Sequence, residues 1–222
     1  MQPSWIALLV GGIVINNFVL AKFLGLCPFF GVSKRSSDAL GMGMAVTFVM
    51  TLASLVTWIV YQFFLLKHEI TGHNLFHMWG LVGPAADLQW LKTLTYILVI
   101  ASLVQVVELV LKKTVPALYR ALGIYLPLIT TNCAVMGVVL LNTTDWQGGP
   151  EAPLSLVLTL VQGAAAGIGF TMVMLLMSGI RERLARSNVP PTMRDLPIAF
   201  ITAGLMALAF MGFAGFGKVF GI

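Results

Sequence analysis

The chain contains 222 residues, of which 59% are hydrophobic and only 9% are charged. Soluble domains carry about 25% charged residues, so this composition excludes a soluble enzyme and indicates a protein embedded in a lipid bilayer. The formal net charge of +5 is explained by membrane topology and gives little reason to expect binding to nucleic acid.

Six apolar stretches are long enough to cross the bilayer, because a spanning helix needs about 20 mostly apolar residues. In chain order these stretches cover residues 5–26, 40–66, 93–111, 117–141, 154–178 and 197–217. Each is long and continuous, whereas a β-barrel would need many short segments of alternating polarity. The sequence therefore predicts an all-α membrane protein with six transmembrane helices in a single domain, residues 1–222.

The first stretch contains polar residues that interrupt its apolar pattern, namely Asn16, Asn17 and Lys22. A straight helix through it would carry Cys27 almost to the cytoplasmic surface, because a helix rises about 1.5 Å per residue. We therefore expect a broken or re-entrant first helix, with the break near Asn16-Asn17 or at Gly25.

The fourth stretch is interrupted in a similar way, by Pro127 and by the sequence Thr-Thr-Asn immediately before Cys133. Cys27 and Cys133 are the only cysteines of the chain. When the two thiols are aligned, Gly31 matches Gly137 four residues further on. The two halves of the chain therefore carry one cysteine each, in similar surroundings.

Three predicted spans in each half is an odd number, so a second copy of the first half must enter the membrane upside down. The sequence predicts two inverted three-helix repeats, approximately residues 1–113 and 114–222, with broken first and fourth helices. Inverted repeats place their functional site near the bilayer midplane, on discontinuous helices.

Basic residues predict the orientation of the chain. Nine of them fall in the loops after the first, third and fifth stretches: Lys34, Arg35, Lys112, Lys113, Arg120, Arg181, Arg183, Arg186 and Arg194. Loops rich in lysine and arginine stay in the cytoplasm. We therefore expect both termini in the periplasm of a bacterial inner membrane.

The two cysteines allow three interpretations from the residues alone. They are inert if they pack as buried small hydrophobes, and a disulfide between them would need an oxidising compartment. As metal ligands they are an incomplete set, because an iron–sulfur cluster is normally held by four thiolates. Two thiols from a second subunit would complete a [2Fe–2S] site.

Three charged positions near the spans also have alternative interpretations. Lys22 either compensates the negative charge of a cluster or extends to the surface. Glu108 is a candidate for ion coupling, although a structural pair with Lys112 one turn later explains it as well. Residues 181–183 (Arg-Glu-Arg) form an interfacial anchor or a docking point for a peripheral redox subunit.

Three segments resemble the small membrane subunits of the Rnf and Nqr electron-transport complexes, most closely those of the RnfA type. These segments are NNFVLAKFLGLCPF at 16–29, LGIYLPLITTNCAVMG at 122–137 and IRERL at 180–184. The resemblance covers nearly the whole chain. It implies six helices in inverted repeats, a paralogous RnfE-like partner of opposite orientation, and an intersubunit [2Fe–2S] cluster bound by Cys27 and Cys133.

The resemblance also implies a function within a complex. Complexes of this family move electrons between ferredoxin and NAD and couple this transfer to Na⁺ or H⁺ translocation. The chain has no nucleotide-binding fingerprint and no complete active site, so we expect NAD and flavin to bind to other subunits. The alternative is a small-solute transporter, because broken helices in inverted repeats are typical of that class as well. The outer loop, residues 67–92, is longer than the resemblance leads us to expect.

Overall fold

The computed structural model of this chain describes residues 5–62, 92–114, 126–142 and 155–213. Within these ranges all regular secondary structure is helical, which confirms the predicted all-α fold. The helices are, in chain order, α1 (Trp5–Val10), α2 (Leu26–Val32), α3 (Ser36–Val60), α4 (Lys92–Thr114), α5 (Leu126–Thr130), α6 (Cys133–Leu141), α7 (Leu156–Ala185) and α8 (Leu196–Met211). A π-helical turn, Gly11–Ile15, continues α1.

Two of these helices, α3 and α7, are long and apolar enough to cross a membrane by themselves. Helices α4 and α8 contain shorter apolar segments, Thr93–Leu109 and Leu196–Met211, at the third and sixth predicted spans. The outer faces of α3, α4 and α8 expose large apolar side chains that suit contact with lipid: Leu40, Met44, Phe48, Leu94, Leu98, Leu109, Leu205, Leu208 and Met211. These features agree with a membrane protein, and the count of six spans stays a prediction.

The first and fourth predicted spans are both broken. In the first, helical structure ends at Ile15 and resumes at Leu26, with turns between them. In the fourth, α5 ends at Thr130 and α6 begins at Cys133. Both breaks lie at the polar residues on which the sequence prediction was based.

Helices α3 and α7 lie antiparallel and very close together at their small residues. A Cβ atom at Gly43 would lie 2.5 Å from Cγ2 of Thr171, and one at Gly167 would lie 2.5 Å from Cα of Thr47. The hydroxyls of Thr47 and Thr171 are 3.1 Å apart. Small residues allow the backbones of membrane helices to approach, and van der Waals packing then stabilises the pair.

The contact between α3 and α7 is reciprocal. Each helix contains glycine and threonine four residues apart, and the threonine of each faces the glycine of the other. Thr47 donates its hydroxyl to the carbonyl of Gly43 (2.8 Å), and Thr171 donates to that of Gly167 (2.9 Å). This exchange is what a pseudo-two-fold axis between inverted halves would produce.

The broken segments are held inside the protein. The largest fully buried side chains include Phe18, Phe29, Met42, Met50, Tyr61, Tyr96, Ile129, Phe170 and Met174. Phe18 belongs to the first break and Ile129 to the short helix α5, so both broken spans contribute to the same core. Unwound backbone is tolerated in a membrane when it is buried in protein in this way.

Candidate functional site

The two cysteines occupy equivalent positions on their broken spans. Cys27 lies in the first turn of α2, and Cys133 is the first residue of α6. Both therefore lie at the amino-terminal end of a helix that starts after a break. Unpaired N–H groups at such an end carry partial positive charge, which favours a thiolate or another anion nearby.

A hydrogen bond between the halves brings the two cysteine segments together. The backbone N–H of Gly25 donates to Sγ of Cys133 across 2.9 Å. Gly25 caps the amino end of α2 and stands two residues before Cys27. The backbone that carries one thiol thus donates to the other, although 108 residues separate the two partners of the bond.

Gly25 can occupy this place only as glycine. Its φ of +81° is in the left-handed region, which side chains with a Cβ rarely adopt. A Cβ there would also lie 2.8 Å from Cε2 of Phe170 and 3.1 Å from Oδ1 of Asn132. Two residues earlier, Phe23 also has a positive φ, +55°. Two residues with positive φ therefore lie immediately before Cys27.

The aligned glycines that follow the cysteines are also in reciprocal contact with the other segment. A Cβ at Gly137 would lie 2.6 Å from Cδ1 of Leu24, which precedes Cys27. A Cβ at Gly31 would lie 3.8 Å from Cδ2 of Leu128, which precedes the other cysteine. The cysteine segments of the two halves therefore pack directly on each other.

Asn17 satisfies the unwound backbone of the first break. Its Nδ2 donates to the carbonyls of Ile13 (2.9 Å) and Gly169 (3.0 Å), and its Oδ1 accepts from the N–H of Val19 (3.0 Å). The side chain is fully buried. Buried backbone groups need such partners, so this one side chain stabilises the break and attaches it to α7.

Asn132 has the corresponding role at the second break. Its Oδ1 accepts from the N–H of Ala134 at 3.0 Å, which caps α6. Its Nδ2 is buried and has no hydrogen-bond partner among the residues that the structure describes. An orphaned donor therefore lies on the residue next to Cys133.

Arg181 holds the other end of the helix that carries Cys27. From α7 its Nη1 donates to the carbonyl of Phe30 (2.8 Å) and to Oγ of Ser33 (3.0 Å). Only 9% of Arg181 is exposed. A cation at the carboxyl end of a helix satisfies carbonyls that lack partners and complements the helix dipole. Arg181 is therefore more than the interfacial anchor that the sequence predicted.

Glu182, the next residue of α7, binds the start of α3. The backbone N–H of Ser36 donates to Oε1 of Glu182 at 2.8 Å, and the Ser36 hydroxyl donates to the same oxygen. A carboxylate at the amino end of a helix is stabilising. Two successive residues of α7 thus hold both sides of the turn at 33–35, between the Cys27 helix and α3.

The structure describes the state of the two thiols. Both Cys27 and Cys133 are free and exposed. Neither thiol is buried inside this chain, and the two do not form a disulfide in it. The described residues contain no group of three or more His, Cys, Asp or Glu that could hold a metal ion, so a cluster bound by these two thiols would need further ligands from outside the described residues.

The donor set fits one half of a [2Fe–2S] cluster. Such a cluster is held by four thiolates, and hydrogen bonds to its sulfurs tune its potential. Cys27 and Cys133 would supply two thiolates, and the N–H of Gly25 already donates to one of them. The orphaned Nδ2 of Asn132 is a further donor on the residue next to Cys133. Both thiols are exposed, so a second protein can reach them.

The other candidates are less informative. Lys22 lies in the first break with its side chain exposed, and its role stays a prediction. Glu108 lies on α4 and is half-buried, so ion coupling by this carboxylate also stays a prediction. The outer loop, residues 67–92, lies outside the described residues except for its last residue, Lys92.

Sequence reasoning missed the contacts that hold the site in place. It did not identify the N–H of Gly25, the cap at Asn132 or the buried state of Arg181 as parts of it. The position of Asn132, directly before a helix that starts after a polar break, was a usable signal for a cap. The other two depend on residues more than 100 positions away.

Known proteins of a single family match this chain over nearly its full length. The model of the family described as "Rnf-Nqr subunit, membrane protein" matches residues 5–217. The chain is 52% identical over 214 residues to the A-type subunit of the ion-translocating oxidoreductase complex of Azoarcus sp. (strain BH72), covering 96% of this chain and 98% of that protein. The proteins of the same name from Sodalis glossinidius (50% over 216 residues; 97% and 99%) and Yersinia enterocolitica (52% over 217 residues; 98% and 100%) are similarly close.

Proposed function

This chain belongs to the Rnf-Nqr family of membrane subunits, and we propose that it is a membrane subunit of an ion-translocating oxidoreductase complex. In this proposal the complex passes electrons between ferredoxin and NAD and couples that transfer to the movement of Na⁺ or H⁺. The chain is not catalytic alone. Its part is to carry electrons through the hydrophobic interior of the membrane.

The observation that carries the proposal is the hydrogen bond from Gly25 N–H to Sγ of Cys133. It joins the segment of one cysteine to the thiol of the other, and both thiols are exposed on the surface of the chain. Cys27 and Cys133 would hold one half of a [2Fe–2S] cluster. A paralogous, RnfE-like protein of opposite orientation would supply the other two thiolates.

Electrostatics favours a negatively charged group at this place. An oxidised [2Fe–2S] core with four thiolates carries a net charge of about −2, which is costly in a low-dielectric interior unless it is compensated. Cys27 and Cys133 both lie at amino-terminal helix ends, and Gly25 and Asn132 add N–H donors. When bound, the cluster supplies one-electron transfer, and these residues hold it and stabilise its charge.

The reciprocal contacts support the predicted architecture of two inverted three-helix repeats. Gly43 and Gly167 exchange threonine contacts between α3 and α7, and Gly31 and Gly137 exchange leucine contacts between the cysteine segments. With three spans in each repeat, the basic loops face the cytoplasm and both termini lie in the periplasm of the bacterial inner membrane. Fusion of a periplasm-active reporter to either terminus tests this orientation.

The test of the cluster is electron paramagnetic resonance of the purified membrane complex. Wild type, after reduction with dithionite, should give the low-temperature signal of a reduced [2Fe–2S] cluster bound by this chain. Cys27→Ser and Cys133→Ser should each abolish that signal while the complex still assembles. Ser102→Ala, an exposed serine of α4 whose hydroxyl donates to its own helix, is the matched control and should keep it.

The alternative, a small-solute transporter, makes the opposite prediction. A transporter has no need of both thiols, so both serine variants should keep full transport and leave every iron signal of the complex unchanged. That outcome would overturn the proposal. Loss of the signal in only one of the two variants would also contradict it, because the two cysteines act here as a pair.

A further inference from the structure

Buried polar side chains without partners are the least explained feature of the membrane interior. Ser54, Thr159 and Gln162 are each at most 1% exposed. The Ser54 and Thr159 hydroxyls and both amide atoms of Gln162 have no hydrogen-bond partner among the described residues. Asn142, at the end of α6, shares this property. The first three differ from it because they lie on α3 and α7, which pack closely against each other.

The register of the two helices places Ser54 opposite the turn of α7 that carries Thr159 and Gln162. A Cβ atom at Gly163 would lie 2.7 Å from the Ser54 hydroxyl, so Ser54 faces the residue next to Gln162. Thr159 lies one turn before Gly163 on the same helix. The same antiparallel register, continued one turn along α3, brings Thr57 opposite Thr159.

Neighbouring hydroxyls show that the missing bonds are not a general property of these helices. Thr47, Thr51, Thr57, Thr171 and Ser178 all donate to carbonyls of their own helix. Such back-bonding is the usual solution for serine and threonine in a helix that has no water nearby. Ser54 and Thr159, on the same two helices, do not use it, and their oxygens remain available as acceptors or ligands.

A buried dipole without a partner is unfavourable by about 1–3 kcal/mol, and an ion or ordered water usually explains one in a native protein. The oxygens available here are two hydroxyls and one amide, and the carbonyl of Met50 adjoins Gly163 as well. All of them are neutral and hard. Membrane transporters coordinate Na⁺ with backbone carbonyl oxygens, and neutral hydroxyl and amide oxygens are hard ligands of the same type. A proton carrier would need a titratable group, and none of these residues is titratable.

We propose that Ser54, Thr159 and Gln162 form a binding site for Na⁺ in the membrane interior between α3 and α7. The inference rests on the proposed ion translocation, and it assigns one binding site for the transported ion to this chain. Gly163 contributes by lacking a side chain, because any Cβ there would occupy the space beside the Ser54 oxygen.

The test is equilibrium binding of radioactive Na⁺ to the purified complex, with KCl replacing NaCl at constant ionic strength. The triple variant Ser54→Ala, Thr159→Val and Gln162→Leu should bind one Na⁺ fewer than wild type. Gln162→Leu alone should weaken binding at this site at least about tenfold, which corresponds to about 1.4 kcal/mol. Ser178→Ala, a buried serine of α7 that already has a partner, is the control and should bind as wild type does.

The substitutions are chosen so that loss of binding is separable from loss of folding. Replacing unpaired buried polar groups by apolar groups of similar shape is neutral or stabilising, so the triple variant should melt at or above the wild-type temperature in the absence of Na⁺. Wild type and Ser178→Ala should then gain more stability than the triple variant as Na⁺ is added.

Unchanged Na⁺ binding in the triple variant would overturn the inference and assign the space to water. The cluster signal keeps this failure distinct from failure of the proposed function. If the cysteine variants lose their signal while the triple variant binds Na⁺ like wild type, only the ion site is wrong. If the cysteine variants keep their signal, the electron-transfer proposal itself is wrong.

Discussion

The cysteine segments and the α3–α7 pair satisfy the polar groups of their buried backbone in opposite ways. Helices α3 and α7 pair their backbone groups internally. They pack closely because Gly43 and Gly167 have no side chain. The backbone groups of the cysteine segments that lack helical partners bond instead to side chains, namely Asn17, Asn132 and Arg181. The continuous pair therefore depends on shape, and the broken segments depend on specific hydrogen bonds.

The same difference explains why the broken segments carry the thiols. A continuous helix uses its N–H groups internally and has none to offer a ligand. A helix that restarts inside the protein presents several at its first turn. Cys27 and Cys133 both lie at such a restart, and Gly25 shows one of these N–H groups already bonded to sulfur.

The largest effect should come from Gly25→Ala, which places a side chain where φ is +81° and a ring carbon lies 2.8 Å from the new atom. Left-handed strain of about 1–2 kcal/mol and overpacking of about 1–3 kcal/mol should together lower the free energy of unfolding by about 2–5 kcal/mol. Thermal unfolding of the purified complex measures this change. Gly41→Ala, an open position in α3, should instead be neutral or stabilising.

The next largest effect should come from Arg181→Gln. The substitution removes the charged donor of two buried hydrogen bonds, to the Phe30 carbonyl and the Ser33 hydroxyl, and should cost about 1.5–3 kcal/mol. The cluster signal should weaken together with the melting temperature, because the far end of the Cys27 helix is released. Arg183→Gln, two residues away and exposed, should change stability by less than about 0.5 kcal/mol. Equal effects of the two variants would mean that burial of Arg181 does not stabilise the broken segment.

A third substitution, Gly167→Ala, tests the close packing of α3 against α7. The added Cβ would lie 2.5 Å from the backbone Cα of Thr47, so α3 and α7 must separate, at a cost of about 1–3 kcal/mol. The melting temperature should fall while the cluster signal of the assembled complex is retained. Gly179→Ala, on the same helix with open space around it, should be stabilising by up to about 1 kcal/mol.

The last position to test is Asn132, whose side chain caps α6 and which directly precedes Cys133. Asn132→Ala removes the cap of α6 and should cost about 0.5–2 kcal/mol. Asn132→Asp keeps the cap acceptor, but it buries a carboxylate on the residue next to Cys133, so it should lower the melting temperature as well. Redox titration of the cluster signal should then show a lower midpoint potential in Asn132→Asp. An unchanged potential would mean that the Asn132 side chain serves the helix alone.

Sequence patterns predicted the local features of this molecule well. Asn16 and Asn17 indicated the first break, and the polar residues before Cys133 indicated the second, because polar side chains in an apolar run must find partners inside the protein. The approximate extents of α3 and α7 also follow from apolar length alone. These are properties that neighbouring residues determine.

Sequence patterns could not predict contacts between residues that are far apart in the chain. Arg181 and Arg183 have the same local context, yet only the first is buried, because the carbonyl of Phe30 lies beside it in the fold. In the same way, the missing bonds of Ser54 and Gln162 depend on how α3 and α7 align. A hydroxyl in an apolar helix gives no sign in sequence of whether it bonds to its own backbone.

The electron-transfer proposal depends on Cys27 and Cys133 ligating one iron centre that is shared with a second membrane protein of the complex. Its most direct test is an experimental structure of the whole complex at a resolution that shows side chains and metal. We predict density for a cluster bonded to both sulfur atoms and to two cysteines of the adjoining protein. If that neighbour is in place and the two sulfurs share no metal, the proposal is contradicted.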